Sequence, residues 1–296
     1  MRRIKLARMN PEQVANEIGD FIINYTFGSK GGVMGLSGGV DSTTVAALTK
    51  KAIDRYNQHN KNQLELVGYM LPSGVNNKED TKDGVYVANK LGIRYEIQNI
   101  DAIVNSYKTT NPKTLENNFH KGNLMSEVRA SILHRKAATE GKSVIGTGNK
   151  DEDFGIGYYT LFGDGAVHMS PIGNLPKRLV REMAAYLGFT ELANRIPTAG
   201  LEPDQTDFKD LGYSYDVVEL ITEGINQGFE YNQLINHEQV IPLVNKELEA
   251  YEKMYETRKF NSVEDVVNDI YNRHDLANIK ANIINPPIAE ITLEYR

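Results

Sequence analysis

Apolar residues recur along the chain in two alternating rhythms. Val14, Ile18, Phe21, Ile22 and Tyr25 fall at helical spacing and predict a first helix over 11–27, with Pro11 in its opening turn. A short apolar run over 33–36 follows Gly31-Gly32 and predicts a buried strand. A second helical pattern runs over 43–56, with Val45, Ala46, Leu48, Thr49 and Ile53 on its core side. Strand patterns at 64–71, 93–97 and 143–147 then alternate with helical ones at 78–91, 123–140 and 175–187, and Gly92 and Gly141 act as stops. The polar stretch 101–121 is weakly periodic and predicts a helix pair or an ordered loop. Residues 197–211 read as a long loop, 215–270 as interrupted helix, and the segment from 285 onward as extended chain.

Strands alternating with helices predict the α/β class, with a mostly parallel sheet covered on both faces and a helical C-terminal part. No internal repeat and no Pro/Ser-rich linker divides the sequence. One domain over 1–296 is therefore expected, with a core over 11–225 and a helical extension over 226–296.

Composition narrows the function classes. Thirty-three basic against 39 acidic residues leave a net charge of −6, which argues against a protein that coats a nucleic-acid backbone. No apolar run approaches the ~20 residues of a membrane helix. The basic start, Met1-Arg2-Arg3-Ile4-Lys5-Leu6-Ala7-Arg8, lacks the apolar segment of a secretory signal and reads as a solvated arm. Cysteine is absent, which excludes disulfides, thiolate metal sites and cysteine nucleophiles, and fits a reducing, cytoplasmic setting. The histidines are scattered without the His-x-x-x-His spacing of a zinc helix.

The segment Leu36-Ser37-Gly38-Gly39-Val40-Asp41-Ser42-Thr43 sits where a strand turns into a helix. Two glycines let the backbone approach an anion, and the helix points its positive end at the same place. Hydroxyls on Ser37, Ser42 and Thr43 add donors. It is neither a Walker A loop nor a G-x-G-x-x-G fingerprint. Asp41 would repel bare phosphate, so its presence in an anion nest predicts a divalent cation bridging to the phosphates.

This string resembles the pyrophosphatase loop of the N-type ATP pyrophosphatases. A second set of segments is more specific: Ile145-Gly146-Thr147-Gly148-Asn149-Lys150-Asp151-Glu152, Gly157-Tyr158-Tyr159-Thr160, Phe162-Gly163-Asp164-Gly165, Pro171-Ile172-Gly173-Asn174-Leu175-Pro176-Lys177, Pro197-Thr198-Ala199-Gly200-Leu201 and Gln205-Thr206-Asp207. In that order they resemble the synthetase domain of the ammonia-dependent NAD⁺ synthetases over about 11–225. The resemblance implies an adenine-nucleotide alpha-hydrolase-like three-layer sandwich, usually a cytoplasmic homodimer. It implies ATP- and Mg²⁺-dependent amidation of the nicotinate carboxylate of deamido-NAD⁺ through an adenylate. Asp41 and Glu152 match the magnesium positions. Thr147, Lys177 and Thr198 match ATP contacts, and Asp164 lies near the reacting centre. Lys177 starts a helix, where it can meet the charge that builds on departing pyrophosphate. The chain has no cysteine-bearing amidase domain, so free ammonia, or ammonia delivered by another protein, is the expected nitrogen source.

The sequence departs from the family where the second substrate is handled. Glu127 stands in place of an arginine, leaving Arg129 as the retained charge for that substrate. Leu161 replaces a lysine, His168 an acid, Phe208 the last residue of a Gln-Thr-Asp-Glu tetrad, and Asn282-Ile283 a His-Lys pair. Two alternatives follow: a related adenylating ligase with another carboxylate or nucleotide acceptor, and a non-catalytic nucleotide-binding protein.

Overall fold

A computed structural model describes residues 2–26, 28–74, 78–195, 197–198, 205–283 and 288–295. A two-residue strand β1 (Ala7–Arg8) precedes helix α1 (Pro11–Thr26), strand β2 (Gly31–Gly35) and the long helix α2 (Val40–His59). Strand β3 (Glu65–Met70), helix α3 (Lys78–Leu91) and strand β4 (Arg94–Ile97) follow. The weakly periodic stretch resolves into two short helices, α4 (Asp101–Ser106) and α5 (Lys113–Glu116), before α6 (Asn118–Glu140) and β5 (Ser143–Val144). The start of α6 lies earlier than the periodicity predicts because the Asn117 side chain accepts from His120 N at 3.1 Å, and Gly141 ends it in the left-handed region.

The four central strands are parallel in the order β4-β3-β2-β5. Val33 is opposite Val67 on one side and Val144 on the other. Beyond β5 the sheet continues as single parallel bridges, Ile145 to Met169 and Ser170 to Ile288. The alternation of a pleated strand sends Met34 and Val33 to opposite faces. Met34 and Leu36 pack with Ile18, Leu48, Leu179 and Met183, which come from α1, α2 and α7 (Lys177–Tyr186). Val33, Val67 and Tyr69 pack with Leu124, Met125 and Val128 of α6. These are the three layers of the expected sandwich.

After α7 come α8 (Thr190–Ala193), α9 (Asp207–Leu211), α10 (Tyr215–Asn226), α11 (Tyr231–Ile235), α12 (Val240–Tyr255), α13 (Val263–Ala281) and strand β6 (Glu294–Tyr295). Their apolar faces form a separate cluster around Val217, Val218, Ile221, Val240, Val266 and Ile270, which draws in Ile4 and Ile156. It holds residues from both sides of position 225, and α10 is one of its buried core helices.

The basic arm at the start is not free in solvent. Ile4 and Ala7 are buried, and the Gln239 carboxamide accepts from Ile4 N at 2.7 Å while donating to Ile4 O at 3.2 Å. Gln227 does the same for Lys5, at 3.0 and 2.7 Å. β1 then pairs antiparallel with β6, Ala7 opposite Tyr295.

At the opposite end of the sheet from the phosphate loop, Glu140 gathers Arg94, Tyr69 and, at 2.8 Å, Lys142. Burial works to raise its carboxyl, but the bonds from Lys142, Tyr69 and Arg94 overrule it and hold it down at about 2. A carboxyl held below its ordinary 4.5 contributes stability that is complete above that value and lost as pH falls toward 2. Glu140→Gln should therefore melt lower than the unmodified protein at pH 7, and the two melting curves should converge on acidification. Melting differences that stay constant from pH 7 to pH 3 would count against this role.

Candidate active site

At the carboxyl end of β2 the chain leaves the sheet through Ser37-Gly38-Gly39 and enters α2. Gly38 has φ +81°, and a Cβ there would lie 2.6 Å from Asp80 O and from Asp83 Cβ, so this position accepts glycine alone. Arg195 locks the turn from outside. It pairs with Asp80 and Asp83 of α3 and donates to Gly38 O at 3.3 Å. Ser37 and Ser42 share a hydroxyl contact of 3.0 Å.

The loop opens into a cavity of about 340 Å³. Leu36, Ser37, Gly39, Val40, Asp41, Ser42, Arg129, Thr147, Glu152, Asp164, Lys177 and Thr198 all line it. The topology thus brings twelve of the candidate residues to one place. Gly38 and Thr43 are outside the lining. The Thr43 hydroxyl is buried and has no partner among the described residues.

At the cavity's centre, Lys177 Nζ donates to Asp41 Oδ2 at 2.5 Å and to Glu152 Oε1 at 2.6 Å. The lysine is 3% exposed. Its position is dictated by a π-helical turn at Lys150–Gly155, which Asn149 caps. Within that turn consecutive side chains leave in different directions. Asp151, fully buried, accepts from Lys177 N at 2.7 Å, while Glu152 meets the tip of the same lysine. Lys177 is therefore gripped at its backbone and at its ammonium. Burial alone would push that ammonium toward neutrality, but the charges of Asp41 and Glu152 overrule it and raise its pKa, so the lysine stays charged.

Burial pushes the Asp41 carboxyl up; Lys177 opposes this and Glu152 adds to it. Burial and the nearby Glu152 and Asp164 likewise push Asp153 well above the usual carboxylate range. Asp207 is pushed up to about 7 by burial and by Glu152. Its Oδ2 accepts from Tyr215 Oη at 2.8 Å, and its Oδ1 has no partner among the described residues. The Tyr215 ring lies 5.2 Å from Lys177 Nζ. Acids outnumber the one lysine at this centre, which favours arrival of a further cation. Among the described residues no three or more acids or histidines are grouped tightly enough to hold a metal by themselves. Two carboxylates completed by substrate phosphates and water are the usual Mg²⁺ donor set. Asp41 and Glu152 fit that pattern.

The other wall comes from one face of α6. Arg129 Nε donates to Leu71 O at 3.0 Å. Ser126 donates to Asp164 Oδ1, and Thr160 N donates to Asp164 Oδ2 at 3.0 Å, so the acid is fixed at the cavity rim. Thr160 Oγ1 in turn bonds Asn123 Oδ1 at 2.7 Å.

Glu127, Leu161, His168 and Phe208, the departures from the family pattern, do not line the cavity. Glu127 faces solvent. His168 Nδ1 accepts from Val144 N at 2.7 Å and so closes the ladder beside β5. Phe208 packs against Tyr251 and Tyr255. These four changes therefore lie outside the cavity lining.

Several contributors carried no assignment from sequence. Arg195, Asp153 and Ser126 belong to the site, and α13 supplies its backing. His274 Nδ1 donates to Gly155 O at 2.9 Å, and Lys280 Nζ donates to Gly157 O at 2.9 Å and to Tyr159 O. Gly157, at φ +63°, lies so close to α13 that a Cβ would approach Ala277 Cα to 3.2 Å. Nothing local marks these residues; Lys280 stands two positions before the pair Asn282-Ile283.

The family model described as NAD synthase matches residues 14–262. The chain is 38% identical over 227 residues to an NH3-dependent NAD⁺ synthetase of Methanosarcina mazei, covering 75% of this chain and 85% of that one. It is 40% identical over 220 residues to the enzyme of that name from Hyperthermus butylicus, covering 73% and 76%. Among solved structures, an NMN synthetase from Francisella tularensis superposes with a TM-score of 0.67 at 25% identity, over 86% of this chain and 98% of that one. An NH3-dependent NAD synthetase from Campylobacter jejuni gives 0.63 at 23% identity, over 93% and 97%, and shares the fold.

Proposed function

Because this chain belongs to the NAD synthase family, we propose that it makes NAD⁺ from deamido-NAD⁺, ATP and free ammonia, releasing AMP and pyrophosphate. The observation that carries the reading is Lys177, buried at the phosphate loop and held by Asp41 and Glu152.

A carboxylate is a poor electrophile because its negative charge shields the carbon. In the first step a nicotinate oxygen attacks the α-phosphorus of ATP. The bond to the bridging oxygen breaks, and pyrophosphate leaves with the electron pair. In the second step the ammonia lone pair attacks the acyl carbon, the acyl–oxygen bond breaks, and AMP leaves as nitrogen loses a proton. The phosphate loop and the N-terminus of α2 bind the triphosphate through backbone N–H groups. Lys177 stabilises the charge that builds on pyrophosphate. Thr147 and Thr198 contact the nucleotide from the cavity wall. Asp164, fixed by Ser126 and Thr160, stands beside the reacting acyl group, and Arg129 pairs with an anionic group of the acceptor. Mg²⁺ would be held by Asp41 and Glu152 and would neutralise phosphate charge.

A solely nucleotide-binding role is disfavoured on energetic grounds. Burying a lysine between two carboxylates costs desolvation that mere retention of a nucleotide does not require. The chain assembles as a homodimer in this reading, supported by an exposed apolar group, Leu276 and Ile279 of α13 with Ile283 just past its end, each more than 60% exposed. Light scattering that returns a single-chain mass at working concentration would refute that assembly. The reducing setting allowed by the lack of cysteine supports a cytoplasmic location, and among the described residues no helix is long and apolar enough to cross a membrane.

A second reading keeps the chemistry and shortens the acceptor to nicotinate mononucleotide. The likeness to an NMN synthetase favours it. The two are separated by incubating the protein with ATP, Mg²⁺ and ammonium, offering each acceptor in turn, and identifying products by mass spectrometry. NAD⁺ formation at the higher kcat/KM supports the first reading, and NMN at the higher kcat/KM supports the second. No pyrophosphate release with either acceptor would sink both.

A further inference from the structure

Asn149, the cap of the π-helical turn, reaches both the Asp41 carboxylate and the backbone that carries Glu152. Its side chain is fully buried. Oδ1 accepts from Asp151 N and from Glu152 N at 3.1 Å each, which caps the π-helical turn and aims Glu152 into the cavity. Nδ2 donates to Asp41 Oδ1 at 3.2 Å, across 108 positions of sequence. The two backbone N–H groups fix which way the carboxamide faces, because only its oxygen can accept them.

Two carboxylates aimed at one point repel each other, and Lys177 holds only one oxygen of each, which leaves the outer oxygens to be oriented by something else. A carboxamide offers an acceptor and a donor locked in one plane, so a single group can restrain both. Serine, aspartate or threonine could cap the turn but could not also donate an N–H to Asp41 at this reach. We infer that Asn149 is a positioning residue that fixes the separation of Asp41 and Glu152 before a cation arrives. The inference rests on the proposed assignment of those two acids as metal ligands. Supporting residues of this kind commonly change metal affinity by roughly 10–100-fold when replaced.

The test compares Asn149→Ser, which keeps a capping oxygen and loses the N–H, with Asn149→Asp, which keeps the planar acceptor and sets an anionic oxygen against Asp41. Mn²⁺ binding is read by electron paramagnetic resonance in the presence of α,β-methylene-ATP, alongside melting temperature and the kinetic constants. Expected are a melting temperature within a few degrees of the unmodified protein, Mn²⁺ affinity weaker by roughly tenfold or more, and a lower kcat at unchanged acceptor KM. Unchanged or tighter Mn²⁺ binding in both variants would overturn the inference, leaving Asn149 as a helix cap. If the serine variant does not fold, the aspartate variant, whose cap is intact, decides the matter. An unmodified protein that binds no Mn²⁺ with the analogue refutes the metal assignment itself. One that binds it, with variants that bind it equally, refutes the role of Asn149 alone.

Discussion

Lys177→Met is expected to lower kcat by about 10³-fold while changing KM for ATP only a few-fold, as for removal of a charge-stabilising donor. Negative charge grows on pyrophosphate as the α–β bond breaks, so the ammonium is worth more in the transition state than in the ATP complex. Methionine keeps the buried stem and removes the charge. The same change strips Asp41 and Glu152 of their shared partner, and breaking a buried pair from one side typically costs about 3–5 kcal/mol. The variant should therefore also melt earlier, and saturating Mg²⁺ and ATP should recover part of that loss. Steady-state kinetics with varied ATP would read the effect. A rise in KM with kcat unchanged would show that Lys177 serves ground-state binding instead.

Asp41→Asn is expected to abolish nearly all turnover without loss of fold. Burial pushes the Asp41 carboxyl up and Lys177 opposes it. Neutral asparagine relieves the cost of burial, although it gives up the charge facing Lys177. Melting temperature should fall less than in Lys177→Met, because Glu152 still faces the ammonium, while activity disappears because a neutral amide is a poor partner for a divalent cation. Full activity of the variant at limiting Mg²⁺ would remove Asp41 from any metal role. Together the two substitutions separate charge that serves stability from charge that serves catalysis.

Much of this site was legible because its parts are local. Ser37 to Thr43 spells out a turn, an anion nest and a helix start within a few residues, and Pro176-Lys177 marks a helix start in the same way. The strand and helix order followed from periodicity, and order alone brings Thr147, Glu152 and Lys177 to the sheet edge that carries Asp41. Relations between distant segments were not legible. The bond from Asn149 to Asp41 and the lock of Arg195 on Gly38 depend on how α2, α3 and the π-helical turn meet. The backing by His274 and Lys280 depends on where α13 lands, and nothing near those residues signals it. Charge misled at two points. The basic arm reads as solvated, yet Ile4 and Ala7 alternate with its charges and are buried. Glu127 reads as a reversed charge in the acceptor pocket, yet it points to solvent from α6.

Arg195 ties the phosphate loop to Asp80 and Asp83 of α3, contacts made wholly within the chain. In proteins whose loop orders around its ligand, part of the binding free energy is lost to that ordering. Here the loop's conformational entropy is surrendered when the chain folds. Calorimetry on ATP should accordingly show a small heat-capacity change, and association should be limited by diffusion and orientation instead of by closure. A rigid cradle also discriminates by shape: it receives a triphosphate whose geometry matches the N–H groups already in place, and it cannot remould itself around one that does not.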